Sequence, residues 1–173
     1  SGQVHAPHCR VYKSEIIKKN NIRFPLLRRS QDIVFNYRYY NYVSSVCVSG
    51  NAGYMYRVLS KERMNRLPSN YNQALDQIYH DIREMHNLWK IPFNDKIVCS
   101  FLFGTVYALM ESNVMRGDDN EYLLKDPTIR EIIQKGHPEK LHLKVFRQLL
   151  LNKKEKWSFL MLNVSYRIKL LLR

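Results

Sequence analysis

Acidic side chains are scarce in this chain: 15 Asp and Glu stand against 28 Lys and Arg, a formal charge of +13. The shortage is uneven. Residues 1–66 hold 12 Lys and Arg against 3 acids (+9), residues 67–137 hold 7 against 10 (−3), and residues 138–173 hold 9 against 2 (+7). An anionic partner for the two ends follows, whether phosphate, nucleic acid or acidic lipid. The acidic middle argues against a nucleic-acid coat over the whole surface.

Cysteine is also sparse. Cys9, Cys47 and Cys99 are odd in number, far apart and without metal-ligand spacing, which reads as a reduced, cytosolic compartment. No signal peptide is visible in these residues, and Ser1-Gly2 reads as a cloning remnant. The longest apolar run, Ile97 to Met110, is too short to span a bilayer and reads as a buried helix. Gly-rich phosphate loops, a Ser-His-Asp order and a nucleophile elbow are missing, as are internal repeats and low-complexity linkers.

What is there is 173 residues, 45% of them hydrophobic, enough for one domain with a core or a large part of a bigger one. "SEIIKKNN" reads as a short helix capped by Ser14 and stopped at Asn20-Asn21. A second helix spans about 30–42, with Ser30 as cap and Asp32 in the first turn, where the helix dipole favours a negative charge. Its Ile33, Val34, Tyr37 and Tyr40 recur at helical spacing, which leaves Tyr39 facing outward. "SSVCVSG" and "GYMYRVLS" alternate and are linked by glycines, predicting strands at 45–49 and 54–59. The opening "QVHAPHCRVYK" also reads as a strand.

Helices follow to the end. One runs from a Ser69 cap to Leu88 with Leu75, Ile78, Tyr79, Ile82 and Met85 inward, and another from Asn94 to Val114. Asp126-Pro127 opens a third by the cap-then-proline rule, Pro138 a fourth ending near Leu151, and residues 153–173 form a fifth. The expected class is therefore α+β and predominantly helical, with short strands before a helical C-terminal bundle.

Several motifs have ordinary readings. His5, His8 and Cys9 lack converging partners for a metal. Asp118-Asp119, in "RGDDNEY", reads as a solvated turn. The Tyr- and Arg-rich helix could stack bases, but its tyrosines fit a core stripe better.

Four pieces, "APHCRVYK", "KKNNIRFP", "SQDIVFN" and "YMYR", occur in this order over about residues 4 to 60. The set resembles the acceptor-side segment of family 2 glycosyltransferases of the GT-A fold. There a strand reading Ala-Pro-Trp-x-Lys-Leu-Tyr-Lys leads to a helix with Asn-Asn-Ile-Arg-Phe, then to a Gly-Glu-Asp triplet opening a helix, and to a Tyr-x-Tyr-Arg strand. Here Ser30 stands for the Gly, Gln31 for the Glu and His8 for the Trp, while Asp32 is kept.

The resemblance implies the C-terminal portion of a GT-A α/β enzyme. Residues 3–60 would be the acceptor-side segment and 61–173 a helical extension. An N-terminal nucleotide-binding half, with its Asp-x-Asp motif and divalent Mg or Mn, would lie outside this chain, leaving the chain alone inactive. It implies Asp32 as general base in an inverting transfer from a nucleotide-sugar donor to a glycan or lipid-linked acceptor. Arg28, Arg29 and Arg57 would contact the donor phosphates, and His8 and Gln31 the acceptor. The bland alternative for Asp32 is a carboxylate serving only the helix dipole.

The alternative function is a basic helical module binding nucleic acid or a protein partner, with nucleic acid disfavoured. Unpaired strand edges would favour a homo-oligomer. Residues 153–173 carry too many apolar positions for one narrow stripe. They either lie on a membrane surface, placing the protein at the inner face of the cell membrane, or pack as core.

Overall fold

The structure is a computed structural model that describes residues 10–27, 30–47 and 67–171. Eight helices are found among the described residues: α1 Ser14–Lys19, α2 Gln31–Tyr40, α3 Tyr71–Leu88, α4 Asp95–Arg116, α5 Glu121–Lys125, α6 Pro127–Lys135, α7 Leu141–Leu151 and α8 Glu155–Leu171. The described residues contain no strand. This overturns the α+β expectation: the described chain is helical and shows no sheet of a GT-A domain. Residues 45–47, expected to begin a strand, are irregular, with Val46 and Cys47 exposed. Arg10–Lys13 are irregular too, so the opening strand does not form there. Alternation without a partner ladder leaves backbone N–H and C=O groups for water, and so fixes no strand. The rest of that opening segment and the expected strand 54–59 lie outside the described residues.

The chain forms two compact units. The first contains the described residues up to Cys47 together with Gln77–Phe93, the second Leu67–Asp76 together with the residues from Asn94 onward. In the first, Ile22, Phe35 and Tyr39 form a buried cluster, with Tyr12, Ile16, Ile17, Tyr40 and Val43 packed against it. On α3, Leu75, Ile78, Tyr79 and Ile82 are buried as the 3.6-residue period predicts, and Met85 is half-buried.

The second unit is built around α4, on which α6, α7 and α8 pack. This helix is 22 residues long with a most apolar window of mean hydropathy 1.4, and 61% of that window is buried inside the protein. Its ends follow from local chemistry. The Asn94 side chain accepts the Ile97 N–H at 3.1 Å. Gly117, at φ 78°, closes the helix in the left-handed conformation that costs glycine least. Asp126 likewise accepts the Ile129 N–H at 3.0 Å, with Pro127 in the first turn of α6.

Four other helix starts differ from expectation: α3 begins at Tyr71, two residues past the expected Ser69 cap, α7 begins at Leu141 with Lys140 as its N-cap rather than at Pro138, and the caps of α1 and α2 differ as well. The N-cap of α1 is Lys13 rather than Ser14. Ser30 is the N-cap of α2 but sits at φ 64° with no side-chain capping bond.

Buried polar groups in the second unit are paired. Asn113 Nδ2 donates to Asn120 Oδ1 at 2.9 Å, and Asn120 Nδ2 donates to the Met110 carbonyl at 3.1 Å. These bonds tie the turn after α4 back onto the helix, and neither asparagine stands out in sequence.

Gly136, after α6, has an ordinary φ of −69°, so conformation does not require glycine there. Space does. A Cβ would stand 2.6 Å from the Ile132 carbonyl oxygen and 2.9 Å from that of Cys99, both backbone atoms. Gly136→Ala must therefore push α6 off α4, at a cost of about 1–3 kcal/mol or more. Urea denaturation of the variant checks this, and an unchanged midpoint contradicts the close packing.

Candidate functional site

Asp32 lies one residue inside α2, half-buried, and its Oδ1 accepts the Ile33 N–H at 2.9 Å. This is a first-turn carboxylate on a helix start, favoured by the unpaired N–H groups and the dipole. Gln31, also half-buried, is the first residue of the same helix. Arg28, Arg29, Arg57 and His8, the other expected site residues, lie outside the described residues.

The irregular segment Arg10–Lys13 docks on α2. Tyr12 Oη donates to Asn36 Oδ1 at 2.7 Å, and the Lys13 N–H donates to Tyr39 Oη at 2.9 Å. The Tyr12 ring meets Phe35 edge-on at 5.5 Å and Tyr39 at 4.9 Å, a favoured aromatic geometry. Phe24, from the "NNIRFP" exit, stacks on Phe35 at 4.3 Å. The Arg10 guanidinium lies 5.7 Å from the Tyr40 ring centre. Burial pushes the Tyr12 hydroxyl above its ordinary pKa, against a lowering by Arg10; the nearby Asp32 charge adds to the rise. Tyr12 is thus held as a neutral donor.

This docking corrects one expectation. Tyr39 is buried, 7% exposed, rather than outward. The 10–13 segment covers the side of α2 that helical periodicity alone assigned to water. Tyr37 is buried as expected and its hydroxyl is pushed up by that burial. Tyr40 is half-buried.

Of the four pieces of the resemblance, the described parts of the first three are thereby brought together around α2. "YMYR" lies outside the described residues.

A second carboxylate in this unit went unnoticed in the sequence. Asp81, on the apolar side of α3, is 4% exposed. Gln77 Nε2 donates to its Oδ1 at 3.0 Å. Arg38 Nε stands 3.5 Å from its Oδ2, yet Oδ2 makes no hydrogen bond. That separation gives attraction without a bond, and desolvation is the larger effect: burial raises the Asp81 pKa above its usual 3.8, with Arg38 and Gln77 lowering it only in part.

The sign follows. The native state holds this proton more tightly than the unfolded chain, so ionised Asp81 weakens folding at neutral pH. That weakening fades as pH falls from the raised value to about 3.8. Asp81→Asn is expected to be more stable than wild type at neutral pH, with the gap narrowing as pH drops. Thermal melts of both proteins across that window check it, and a widening gap contradicts the assignment.

Among the described residues no three His, Cys, Asp or Glu side chains converge to hold an ion. Asp118 pairs with Arg116 at 2.6 Å and Asp119 Oδ1 accepts the Glu121 N–H at 3.0 Å; both acids are exposed in a turn, as read from sequence. His86 Nδ1 lies 2.8 Å from the Ile82 carbonyl, and the His142 ring packs on Tyr107 at 5.6 Å. His5, His8 and Cys9 lie outside the described residues. The divalent ion implied by the resemblance thus has no ligand set among the described residues, and no step below runs through it. Compared with protein-family models, curated proteins and solved structures, the chain matches none.

Proposed function

We propose that this chain supplies the acceptor side of an inverting glycosyltransferase, with Asp32 as general base. The observation that supports this reading is the packing of residues 10–13 and Phe24 on Phe35, Asn36 and Tyr39, which holds the body of the helix whose first turn bears Asp32. A base must sit within hydrogen-bond reach of the proton it takes, and a carboxylate in the first turn of a pinned helix meets that demand for rigidity.

The acceptor oxygen attacks the anomeric carbon and passes its proton to the Asp32 carboxylate. The bond from that carbon to the nucleoside diphosphate breaks, and the diphosphate leaves with the electron pair. Arg28, Arg29 and Arg57 are proposed to meet its charge, and His8 and Gln31 to meet the acceptor. The proposed substrates are a nucleotide sugar and a glycan or lipid-linked acceptor, on the cytoplasmic side of the cell membrane.

Burial of Tyr37 and Tyr39 favours this reading over a strip for single-stranded nucleic acid, which needs exposed rings to stack bases. The test is nucleoside diphosphate release by the full-length protein from a panel of nucleotide sugars, with and without glycan and lipid-linked acceptors. Acceptor-dependent release is expected. Absence of release with every donor, together with tight binding to single-stranded nucleic acid, overturns the proposal.

A further inference from the structure

Helix α8 packs one side on the fold, and among its described residues the opposite side is apolar and exposed. Ser158 and Leu162 are fully buried, and Ser165 Oγ donates to Glu111 Oε1 of α4 at 3.0 Å. The other face carries Trp157, Leu160, Val164 and Ile168, which share a side by the helical period and are 63, 51, 47 and 50% exposed. Leu141 and Val145 of α7 continue this surface at 76 and 46%. Between the two helices, Val145, Leu149, Trp157, Leu160, Met161 and Val164 line an open groove of about 400 Å³, whose one charged lining residue is Lys154.

The exposed charges on this helical pair are mostly of one sign. Lys140, Lys144, Lys153, Lys154, Lys156 and Arg167 are exposed, against Glu139 and Glu155. An apolar stripe bordered by cations, with a tryptophan in it, has the composition of a helix that lies in a membrane interface.

The geometry points to an anionic lipid surface as the occupant of the α7–α8 face, with Trp157, Leu160 and Val164 entering the head-group zone and the lysines on lipid phosphates. Charge decides between occupants. A second copy meeting this face with its own would bring two basic rims together. Nucleic acid would satisfy the lysines and leave the apolar stripe in water. The inference stands apart from the transferase reading, since vesicle binding needs no turnover.

Truncating α8 is a poor test, because Leu162 and Ser158 belong to the core. Substitutions at exposed positions avoid this. The full chain is floated with phosphatidylcholine vesicles with and without phosphatidylserine, at low and high salt. Wild type is expected on the anionic vesicles at low salt. Trp157→Ser with Leu160→Ser is expected to weaken partitioning about tenfold or more, from the apolar area no longer inserted. Lys153→Gln with Lys154→Gln and Lys156→Gln is expected to weaken it roughly a hundredfold, about fivefold per charge.

Loss with the lysine variant alone means simple charge attraction and overturns the inserted face. Equal binding by all three proteins overturns it as well. So does a wild type that ignores anionic vesicles but dimerises, with the dimer dispersed by Leu160→Ser in sedimentation velocity. A second readout covers a serine variant that fails to fold: in a Trp89→Phe background, Trp157 emission should shift to the blue and resist an aqueous quencher when anionic vesicles are added. Unchanged emission overturns the proposal.

Discussion

Asp32→Asn is expected to lower turnover of the full-length protein by about 10²–10⁴-fold, the usual contribution of a positioned general base, and to leave donor affinity nearly unchanged. The variant separates base from helix ornament. Asn keeps an Oδ1 able to accept the Ile33 N–H, so the local bond at 2.9 Å has a replacement. What the substitution removes from the fold is one charge at a helix start, a matter of about 0.3–1 kcal/mol. A carboxylate serving only the dipole would show that small stability loss with turnover intact. Steady-state kinetics beside a thermal melt distinguishes the two, and a drop in turnover below about tenfold contradicts the base role.

Phe103→Ala carries the largest expected effect on stability. Phe103 is fully buried in α4 and its ring meets Phe146 of α7 edge-on at 6.4 Å. Removing it takes away the apolar transfer term and leaves a cavity between two helices, at about 3–5 kcal/mol. Ile97, in the same apolar run, is 66% exposed, and Ile97→Ala should stay within about 0.5 kcal/mol. Urea denaturation of the two variants measures the contrast. Similar losses in both would mean that α4 is not buried on the side described.

That contrast also shows what could be read before the structure. The run from Ile97 to Met110 announces a buried helix through its length and apolarity. It does not say which residues face inward, because a helix apolar on nearly every side has no stripe to read. The amphipathic α3 gave its inner face away through Leu75, Ile78, Tyr79 and Ile82. Helix ends were legible wherever a side chain bonds its own backbone locally, as at Asn94 and at Asp126-Pro127.

Ends and faces set by distant contacts were not legible. Tyr39 turned inward because the 10–13 segment covers it, a contact spanning 26 residues from Lys13 to Tyr39. Asp81 was invisible for the same reason: its partner Arg38 comes from another helix. Residues 45–47 illustrate the opposite error, where an alternating pattern was read as a strand although a strand exists only through its partner. The tail posed core against membrane surface as alternatives. The surplus of apolar positions on α8 is instead divided, Leu162 inward and Leu160 outward.

For the site, the position of Asp32 at a helix start was legible from Ser30-Gln31-Asp32 ahead of an apolar period. Its support was not, since the Tyr12–Asn36 and Lys13–Tyr39 bonds join segments that sequence spacing does not relate.

In the proposed transfer, Asp32 takes a proton from an acceptor that attacks the anomeric carbon once, opposite the departing diphosphate. The most direct measurement is the configuration of the newly linked sugar, read by proton NMR of the product before any anomeric exchange. An anomeric centre inverted relative to the nucleotide sugar is expected; a product that retains the donor's configuration overturns a single displacement assisted by Asp32.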